Sequence, residues 1–152
     1  MLFRSHGFTT LPELGSIVTI DVAFISLTLI LPAVTRVLAP QGDIVALVKP
    51  QFEAGQTLVG KGGVVRNPAV HRNVLDAVAR AGKKLGLVPH GLVSSPVRGQ
   101  AGNMEFLLWL RTATEAEDQG GPTIEWEQAV TLALAGPADE RSENINKGAT
   151  VW

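Results

Sequence analysis

The stretch from Asp43 to Glu53, DIVALVKPQFE, joins a short apolar run to a lysine and a proline. Its first half is rich in β-branched residues and lacks polar alternation, which is typical of a strand buried on both faces inside a sheet. Pro50 keeps the preceding residue out of the helical region, so the strand is predicted to end with Lys49 at its tip. Ligands of open α/β sheets bind beyond the carboxyl ends of the strands. Lys49 is therefore a candidate functional residue, although a solvated surface lysine is the ordinary alternative.

Residues 17–49 predict one β-α-β unit. A strand over residues 17–21 ends at Asp21, and the helix that follows it is expected to end at residues 40–42. Because crossovers between parallel strands are right-handed, both strands end at the same edge of the sheet. The sequence therefore predicts that Asp21 and Lys49 lie close together. The expected apolar stripe of the helix consists of Leu27, Leu31, Val34 and Leu38.

A glycine-rich loop over residues 55–67 follows the lysine. Its segment GQTLVGKG approaches a phosphate-binding P-loop, but Gly62 stands where a serine or threonine must bind magnesium, and no helix follows at once. A mobile loop on the substrate side of the molecule is therefore favoured. Lys61 and Arg66 in this loop, together with Arg98 further along the chain, are candidate substrate-binding cations.

The last two strands of the predicted sheet are antiparallel. A helix over residues 68–85 leads to a strand over residues 87–95, which Pro89 assigns to an edge of the sheet. The loop before the last strand, residues 103–111, contains no helical pattern, so these two strands are expected to be antiparallel neighbours. An antiparallel last strand begins at the edge where the parallel strands end. Topology therefore brings Glu105 to the edge that holds the aspartate and the lysine.

Composition argues against several classes of function. The formal net charge of −1 disfavours nucleic-acid binding by bulk electrostatics, so a basic surface has to be local or lie elsewhere in the protein. The chain has no cysteine, which excludes thiolate metal sites and indicates a reducing compartment such as the cytoplasm. His6, His71 and His90 lack the spacing of a metal site, so no metal is predicted. The apolar run over residues 22–35 is too short to span a bilayer, and no membrane association is expected.

Four segments resemble successive motifs of the TlyA family. This family carries a hemolysin label and is similar to the FtsJ-like ribosomal RNA 2′-O-methyltransferases. The resemblance extends from about Leu11 to Arg111. The segments are DVAFISL at 21–27, LVKPQFE at 47–53, VGKGGVV at 59–65 and GNMEFL at 102–107.

The resemblance implies an α/β fold: a partial Rossmann-like S-adenosylmethionine-dependent methyltransferase with a mixed sheet and an antiparallel last strand. It also implies methyl transfer from S-adenosylmethionine to a ribose 2′-hydroxyl of ribosomal RNA, with ribosomal RNA or ribosomal subunits as partners. Three members of the family's Lys-Asp-Lys-Glu set map onto Asp21, Lys49 and Glu105. Lys49 would be the general base and the two carboxylates would orient it. Asp21 is also a candidate contact of the cofactor.

Some parts of the family pattern find no match in this chain. The first lysine of the set and the glycine-rich cofactor loop are not found, and Ala23 stands where the family usually has serine. We therefore expect a chain that is truncated at its N-terminus and inactive on its own. The expected divisions are a connecting segment 1–16, the C-terminal half of the methyltransferase domain 17–111, a linker with a short helix 112–135, and a disordered tail 136–152.

Two other classes of function remain open. A non-catalytic RNA-binding remnant would retain RNA without depending on the cofactor, although the near-neutral charge speaks against it. A membrane-active hemolysin would need an amphipathic or spanning segment, and the sequence shows no candidate for one.

Overall fold

The described residues contain one mixed sheet of four strands: β1 (Gly15–Ile20), β2 (Leu38–Val48), β3 (Leu87–Ser94) and β4 (Phe106–Thr112). The order of the strands in the sheet is β1-β2-β4-β3. The computed structural model describes residues 13–118 and 124–136. Strands β1 and β2 are parallel, whereas β4 is antiparallel to both of its neighbours, β2 and β3. The predicted mixed sheet with an antiparallel last strand is thus confirmed, as is the edge position of the strand that contains Pro89.

Helices cover one face of this sheet. The side chains that alternate toward this face of β2 and β4 are fully buried, and helices supply the other half of the core. The helices are α1 (Leu27–Val34), α2 (Pro50–Glu53), α3 (Pro68–Lys83), α4 (Glu115–Asp118) and α5 (Trp126–Ala135). The core includes Ile44, Ala46, Val48, Phe106, Leu108 and Leu110 from the sheet, with Leu31, Leu75, Val78 and Val130 from α1, α3 and α5.

Helix α3 shows how local sequence sets these elements. The side chain of Asn67 accepts a backbone N–H of the first turn, and Pro68 occupies the first helical position, where no intrahelical donor is lost. Gly86 has a φ of 74°, a left-handed conformation that lets the chain turn from the helix into β3. The helix matches the prediction except for its last two residues. Its buried apolar face includes Val70, Val74 and Val78.

Helix α1 is shorter than the sequence predicted. It ends at Val34 instead of residues 40–42, and Leu38, which was expected on its apolar stripe, is instead buried as the first residue of β2. Pro32 lies inside the helix and removes one backbone donor, which weakens its last turn. A buried leucine fits a helical stripe and a strand equally well, so the apolar pattern alone could not separate the two elements.

The predicted helix end at residues 40–42 is in fact an irregularity inside β2. The pairing with β1 moves from Gly15 opposite Leu38 to Ile17 opposite Asp43, so extra residues of β2 have no partner there. Gln41 has a φ of 59° at this point. Proline and glycine are tolerated here because a bulged segment does not need a regular ladder of hydrogen bonds.

The second face of the sheet is only partly covered. Strand β2 was expected to be buried on both faces, but its residues 43, 45 and 47 are half-buried, and Val93 and Trp109 on the neighbouring strands are exposed. In the described ranges the core helices all pack on the opposite face. The prediction of burial on both faces is therefore wrong for this part of the protein.

The predicted end segments lie largely outside the described residues. Strand β1 begins at Gly15, inside the expected connecting segment 1–16, of which residues 1–12 are not described. Helix α5 accounts for the short helix expected within residues 112–135 and packs against β3. The expected disordered tail is described only at residue 136.

Candidate functional site

Asp21 and Lys49 meet at the carboxyl ends of β1 and β2. Each is the first residue after its strand, and the Lys49 Nζ lies 2.6 Å from the Asp21 Oδ1. The Lys49 side chain is 16% exposed, whereas that of Asp21 is 70% exposed. The pair therefore opens to solvent on the carboxylate side, where a ligand can reach it.

Glu105 is the third predicted side chain at this edge. It directly precedes β4 and is buried, with 7% of its surface exposed. Its Oε1 accepts a hydrogen bond of 2.9 Å from the Gln51 Nε2, and in the described structure it forms no ion pair with Lys49. Gly99 makes room for it, because a Cβ at that position would collide with the Glu105 Oε1. The three predicted residues share one edge of the sheet, but only two of them touch.

Gln51 has an unfilled acceptor at this site. A carboxylate can only accept hydrogen bonds, so the side-chain nitrogen of Gln51 faces Glu105 and its side-chain oxygen points away from Glu105. The Gln51 Oε1 is buried and has no hydrogen-bond partner among the described residues. Buried polar atoms are nearly always paired, so this oxygen is suited to a donor that a ligand brings.

Glu53 connects the two loops that carry the ion pair. Its carboxylate accepts the backbone N–H of Leu27 at 2.8 Å and the Ser26 hydroxyl at 2.6 Å. Ser26 is the N-cap of α1 and accepts in turn from the backbone N–H of Thr28. A carboxylate is favourable at a helix N-terminus, where backbone donors have no intrahelical partner. This contact holds the loop after Asp21 against the short helix after Lys49.

Two aromatic rings follow the ion-paired residues along the chain, Phe24 three residues after Asp21 and Phe52 three residues after Lys49. Phe24 is 85% exposed and has a φ of 64°, an unusual backbone conformation for a bulky residue. Its ring centroid is 4.9 Å from that of Phe52, with the planes inclined by 51°. An exposed ring in a strained conformation within three residues of Asp21 is a candidate contact for a planar ligand group.

The three predicted cations occupy different places. Arg66 and Arg98 line one cavity of about 250 Å³, whereas Lys61 lies on an exposed turn outside its lining. His71 also lines this cavity, and burial lowers the pKa of its imidazole. Its Nε2 lies 3.0 Å from the carbonyl oxygen of Val65, so the ring is the donor of this hydrogen bond.

Sequence reasoning missed four residues of this site. Phe24, Gln51, Glu53 and Asn103 all lie inside the motifs quoted for the family resemblance, within five residues of a predicted ionisable residue. Their positions within five residues of a strand end were the available signal, because ligands of open α/β sheets bind beyond the strand ends. Their partners, however, come from distant parts of the sequence and could not be assigned from it.

Two further features bear on the type of site. Within residues 13–118 and 124–136, no group of three or more His, Asp or Glu side chains could hold a metal ion. Among the helices of these same ranges, none is long and apolar enough to cross a membrane.

Comparison with known proteins identifies the family. The FtsJ-like methyltransferase model matches residues 8–112. YqxC of Bacillus subtilis (strain 168), named as a candidate rRNA methyltransferase, is 50% identical over 100 residues, which cover 66% of this chain and 36% of that protein. The 16S/23S rRNA (cytidine-2′-O)-methyltransferase TlyA of Mycobacterium tuberculosis (strain H37Rv) is 46% identical over 99 residues, covering 65% and 37% respectively.

A solved structure agrees with these matches. A candidate hemolysin from Streptococcus thermophilus superposes with a TM-score of 0.73 at 38% identity, covering 88% of this chain and 46% of that one. The chain spans little more than a third of the length of the two curated relatives. The resemblance to the TlyA family is confirmed, and the chain belongs to the FtsJ-like methyltransferase family.

Proposed function

We propose that the protein takes part in methylating a ribose 2′-hydroxyl of ribosomal RNA with S-adenosylmethionine as the methyl donor. FtsJ-like methyltransferases generally use this cofactor, and one relative is named as a (cytidine-2′-O)-methyltransferase of 16S/23S rRNA. The observation that carries the proposal is the Lys49–Asp21 pair beside the buried Glu105. Because the chain covers about a third of its relatives, the proposal concerns the full-length protein. A ribosomal RNA substrate would place the reaction in the cytoplasm.

Lys49 is the proposed general base. A ribose hydroxyl is a poor nucleophile, and it must lose its proton as the new oxygen–carbon bond forms. When bound, S-adenosylmethionine supplies an electrophilic methyl group on a positively charged sulfur. Lys49 accepts the hydroxyl proton at Nζ, which requires its amine to be neutral at that moment. Asp21, 2.6 Å away, holds the amine in position.

Asp21, Gln51 and Glu105 are the proposed positioning and cofactor contacts. The two carboxylates and the unfilled Gln51 Oε1 are hydrogen-bond acceptors, and the cofactor carries an ammonium and a sulfonium group. These residues therefore fit a cationic ligand. Asp21 is the exposed carboxylate among them and would form the ion pair with that ligand. Glu105 acts through Gln51, because their hydrogen bond fixes the direction in which the amide oxygen is presented.

The exposed aromatic pair supports a nucleic-acid substrate. Unpaired RNA bases stack on aromatic side chains, and Phe24 offers an exposed ring three residues after Asp21, which pairs with the proposed base. A nucleotide whose base stacks on Phe24 would have its ribose close to Lys49. A second candidate function, a non-catalytic RNA-binding remnant, rests on the same ring and on the arginine-lined cavity.

This chain by itself is expected to transfer no methyl group. The first lysine of the family set and the glycine-rich cofactor loop have no match among its residues. Retention of RNA by the isolated chain, unaffected by S-adenosylmethionine, would favour the remnant. Retention that requires the cofactor would argue against it.

The test compares variants of the full-length protein in transferring a tritiated methyl group to ribosomal subunits from cells that lack the gene. General-base catalysis contributes roughly 10²–10⁴-fold, so Lys49→Ala is expected to lower kcat by at least about 100-fold with cofactor affinity unchanged. Lys83→Ala is the matched control, because Lys83 is exposed at the far end of α3. A normal turnover number for Lys49→Ala would refute the role of this residue.

Lys49→Arg separates a base from a simple positive charge. Arginine keeps the charge and can still pair with Asp21, but it does not accept a proton in this pH range. Loss of activity in Lys49→Arg supports the base, whereas near-normal activity would show that only the charge matters.

A further inference from the structure

A cavity of about 250 Å³ lies between the loop that precedes α3 and the loop that precedes β4. The first loop contributes Val65 and Arg66, and the second contributes Arg98 and Met104. This volume is below the roughly 300–1,000 Å³ of pockets that enclose drug-sized ligands. The cavity therefore suits a small group, such as one phosphate of a longer chain.

Its two arginines carry uncompensated charge. In the described part of the chain, Arg72 pairs with Glu127 and Arg111 pairs with Asp43, but neither Arg66 nor Arg98 forms an ion pair. Two guanidinium groups that line one small cavity repel each other unless an anion lies between them. Guanidinium groups bind phosphate oxygens in a planar, two-pronged geometry, which makes a phosphate the matching anion.

Asn103 fixes the two walls of the cavity relative to each other. It is 2% exposed, and its Oδ1 accepts the backbone N–H of Val65 at 3.0 Å. Its Nδ2 donates to the carbonyl oxygens of Gly63 at 2.9 Å and Gln100 at 3.0 Å. One buried side chain thus connects both loops, so the cavity is formed before any ligand arrives and binding does not have to order it.

His71 forms a neutral wall of the cavity. Its ring donates from Nε2 to the Val65 carbonyl oxygen and makes an edge contact with Phe106, with ring centroids 5.6 Å apart. Burial, and to a smaller extent the positive charge of Arg98, lowers the pKa of His71, so the ring is uncharged at neutral pH. The positive charge in the lining therefore comes from the two arginines.

We propose that Arg66 and Arg98 together bind a single backbone phosphate of the RNA substrate in this cavity. The inference rests on the proposed function, since it takes RNA as the substrate, and it names the phosphodiester group that the protein holds. Met104 lines the cavity and Glu105 is the next residue, so the phosphate is bound at a fixed place relative to the edge that carries Lys49.

The salt dependence of RNA binding tests this site. A short fluorescein-labelled single-stranded RNA is titrated with the full-length protein over a range of salt concentrations. Each neutralised phosphate contributes about 0.7 to the slope of log K against log salt for single strands. The double variant Arg66→Ala/Arg98→Ala is expected to reduce the slope by about 0.7, because one shared phosphate is lost. Each single variant keeps one guanidinium at that phosphate and is expected to reduce the slope by no more than this. A reduction of about 1.4 in the double variant would mean two separate contacts and would overturn the proposal.

Arg80→Ala is the matched control. Arg80 is exposed on α3, about 14 Å along the helix from His71 in the cavity lining, and its removal changes the net charge equally. Its slope is expected to equal that of the wild type, and a double cavity variant that behaves like Arg80→Ala would overturn the proposal. Arg66 and Arg98 are exposed, so their alanine variants should fold, which circular dichroism verifies. Weaker S-adenosylmethionine binding with unchanged RNA binding would assign the cavity to the cofactor instead, and this also overturns the proposal.

Methyl transfer is measured in parallel with the same proteins. If the wild type transfers no methyl group while the cavity variants show the expected slopes, the proposed enzyme activity fails and the phosphate site stands. If transfer is normal and the slopes do not change, only the phosphate site fails.

Discussion

Replacing Asn103 with alanine should destabilise the protein more than any other Asn→Ala change in the described loops. The substitution removes three hydrogen bonds, to Val65, Gly63 and Gln100. The Val65 N–H is buried and would be left without a partner, which costs about 1–3 kcal/mol. The two carbonyl oxygens are part-buried and recover some hydration, so they add about 1–2 kcal/mol together. The expected loss of unfolding free energy is therefore about 2–5 kcal/mol.

Asn67→Ala supplies the matched comparison. Asn67 caps α3 with one exposed hydrogen bond to the backbone N–H of Ala69, so its loss should cost about 1 kcal/mol. Urea unfolding followed by circular dichroism gives both values, and hydrogen exchange at the Val65 amide should accelerate only in Asn103→Ala. Equal costs for the two variants, or unchanged exchange at Val65, would refute the assignment of Asn103 as the connection between the loops.

Asn103→Asp adds a dependence on pH. The carboxylate can still accept from Val65, but it faces the carbonyl oxygens of Gly63 and Gln100 without a proton to donate. Protonation restores one donor, so the pKa of the new carboxyl is raised in the folded state relative to the unfolded state. Stability of this variant should therefore fall as pH rises from about 4 to 7. A variant whose loss of stability is independent of pH would contradict the geometry.

Three further predictions concern other residues of the site. Burial lowers the pKa of His71 below its value in the unfolded chain, so its contribution to stability is present above about pH 6.5 and is lost as the pH falls below that value. The melting temperature of His71→Gln should therefore depend less on pH than that of the wild type. Identical pH profiles for the two proteins would contradict this. Gly99→Ala should displace Glu105 and lower kcat/KM for methyl transfer by about 100-fold, and wild-type kinetics would show that the position of Glu105 is not critical. Phe24→Gly should relieve the backbone strain at the positive φ and leave the melting temperature unchanged or higher. RNA binding should weaken by about 1–3 kcal/mol, because the stacking ring is lost. Lower stability with unchanged RNA affinity would indicate a purely structural role.

Local pattern and topology were enough to predict most of the fold and the position of the ion pair. Pro50 marks the end of β2, and the right-handed crossover places Asp21 next to Lys49, as the 2.6 Å contact shows. The start and the end of α3 were predicted in the same way, from the cap at Asn67 and from Gly86, which adopts a left-handed conformation. These features succeed because each one depends on residues close together in the sequence.

The errors have a common physical origin in tertiary contacts. Whether Leu38 continues a helix or begins a strand is decided by which partners bury it, and the irregularity at residues 40–42 exists only because β1 pairs around it. The site follows the same rule. The hydrogen bonds of Gln51 with Glu105 and of Asn103 with Val65 join residues separated by 54 and 38 positions, and no spacing in the sequence indicates them.

The chemical nature of the methylated product tests the proposed reaction most directly. Ribosomal subunits treated with the full-length protein and labelled S-adenosylmethionine are digested with alkali, and the products are separated by liquid chromatography and mass spectrometry. Alkaline cleavage of RNA uses the 2′-hydroxyl as an internal nucleophile, so a 2′-O-methylated linkage survives. We predict that the label is found in an alkali-resistant dinucleotide with the methyl group on the ribose, and that Lys49→Ala forms this product at least about 100-fold more slowly. Label in a mononucleotide with a methylated base would contradict the assignment of Lys49 as the base for a ribose hydroxyl.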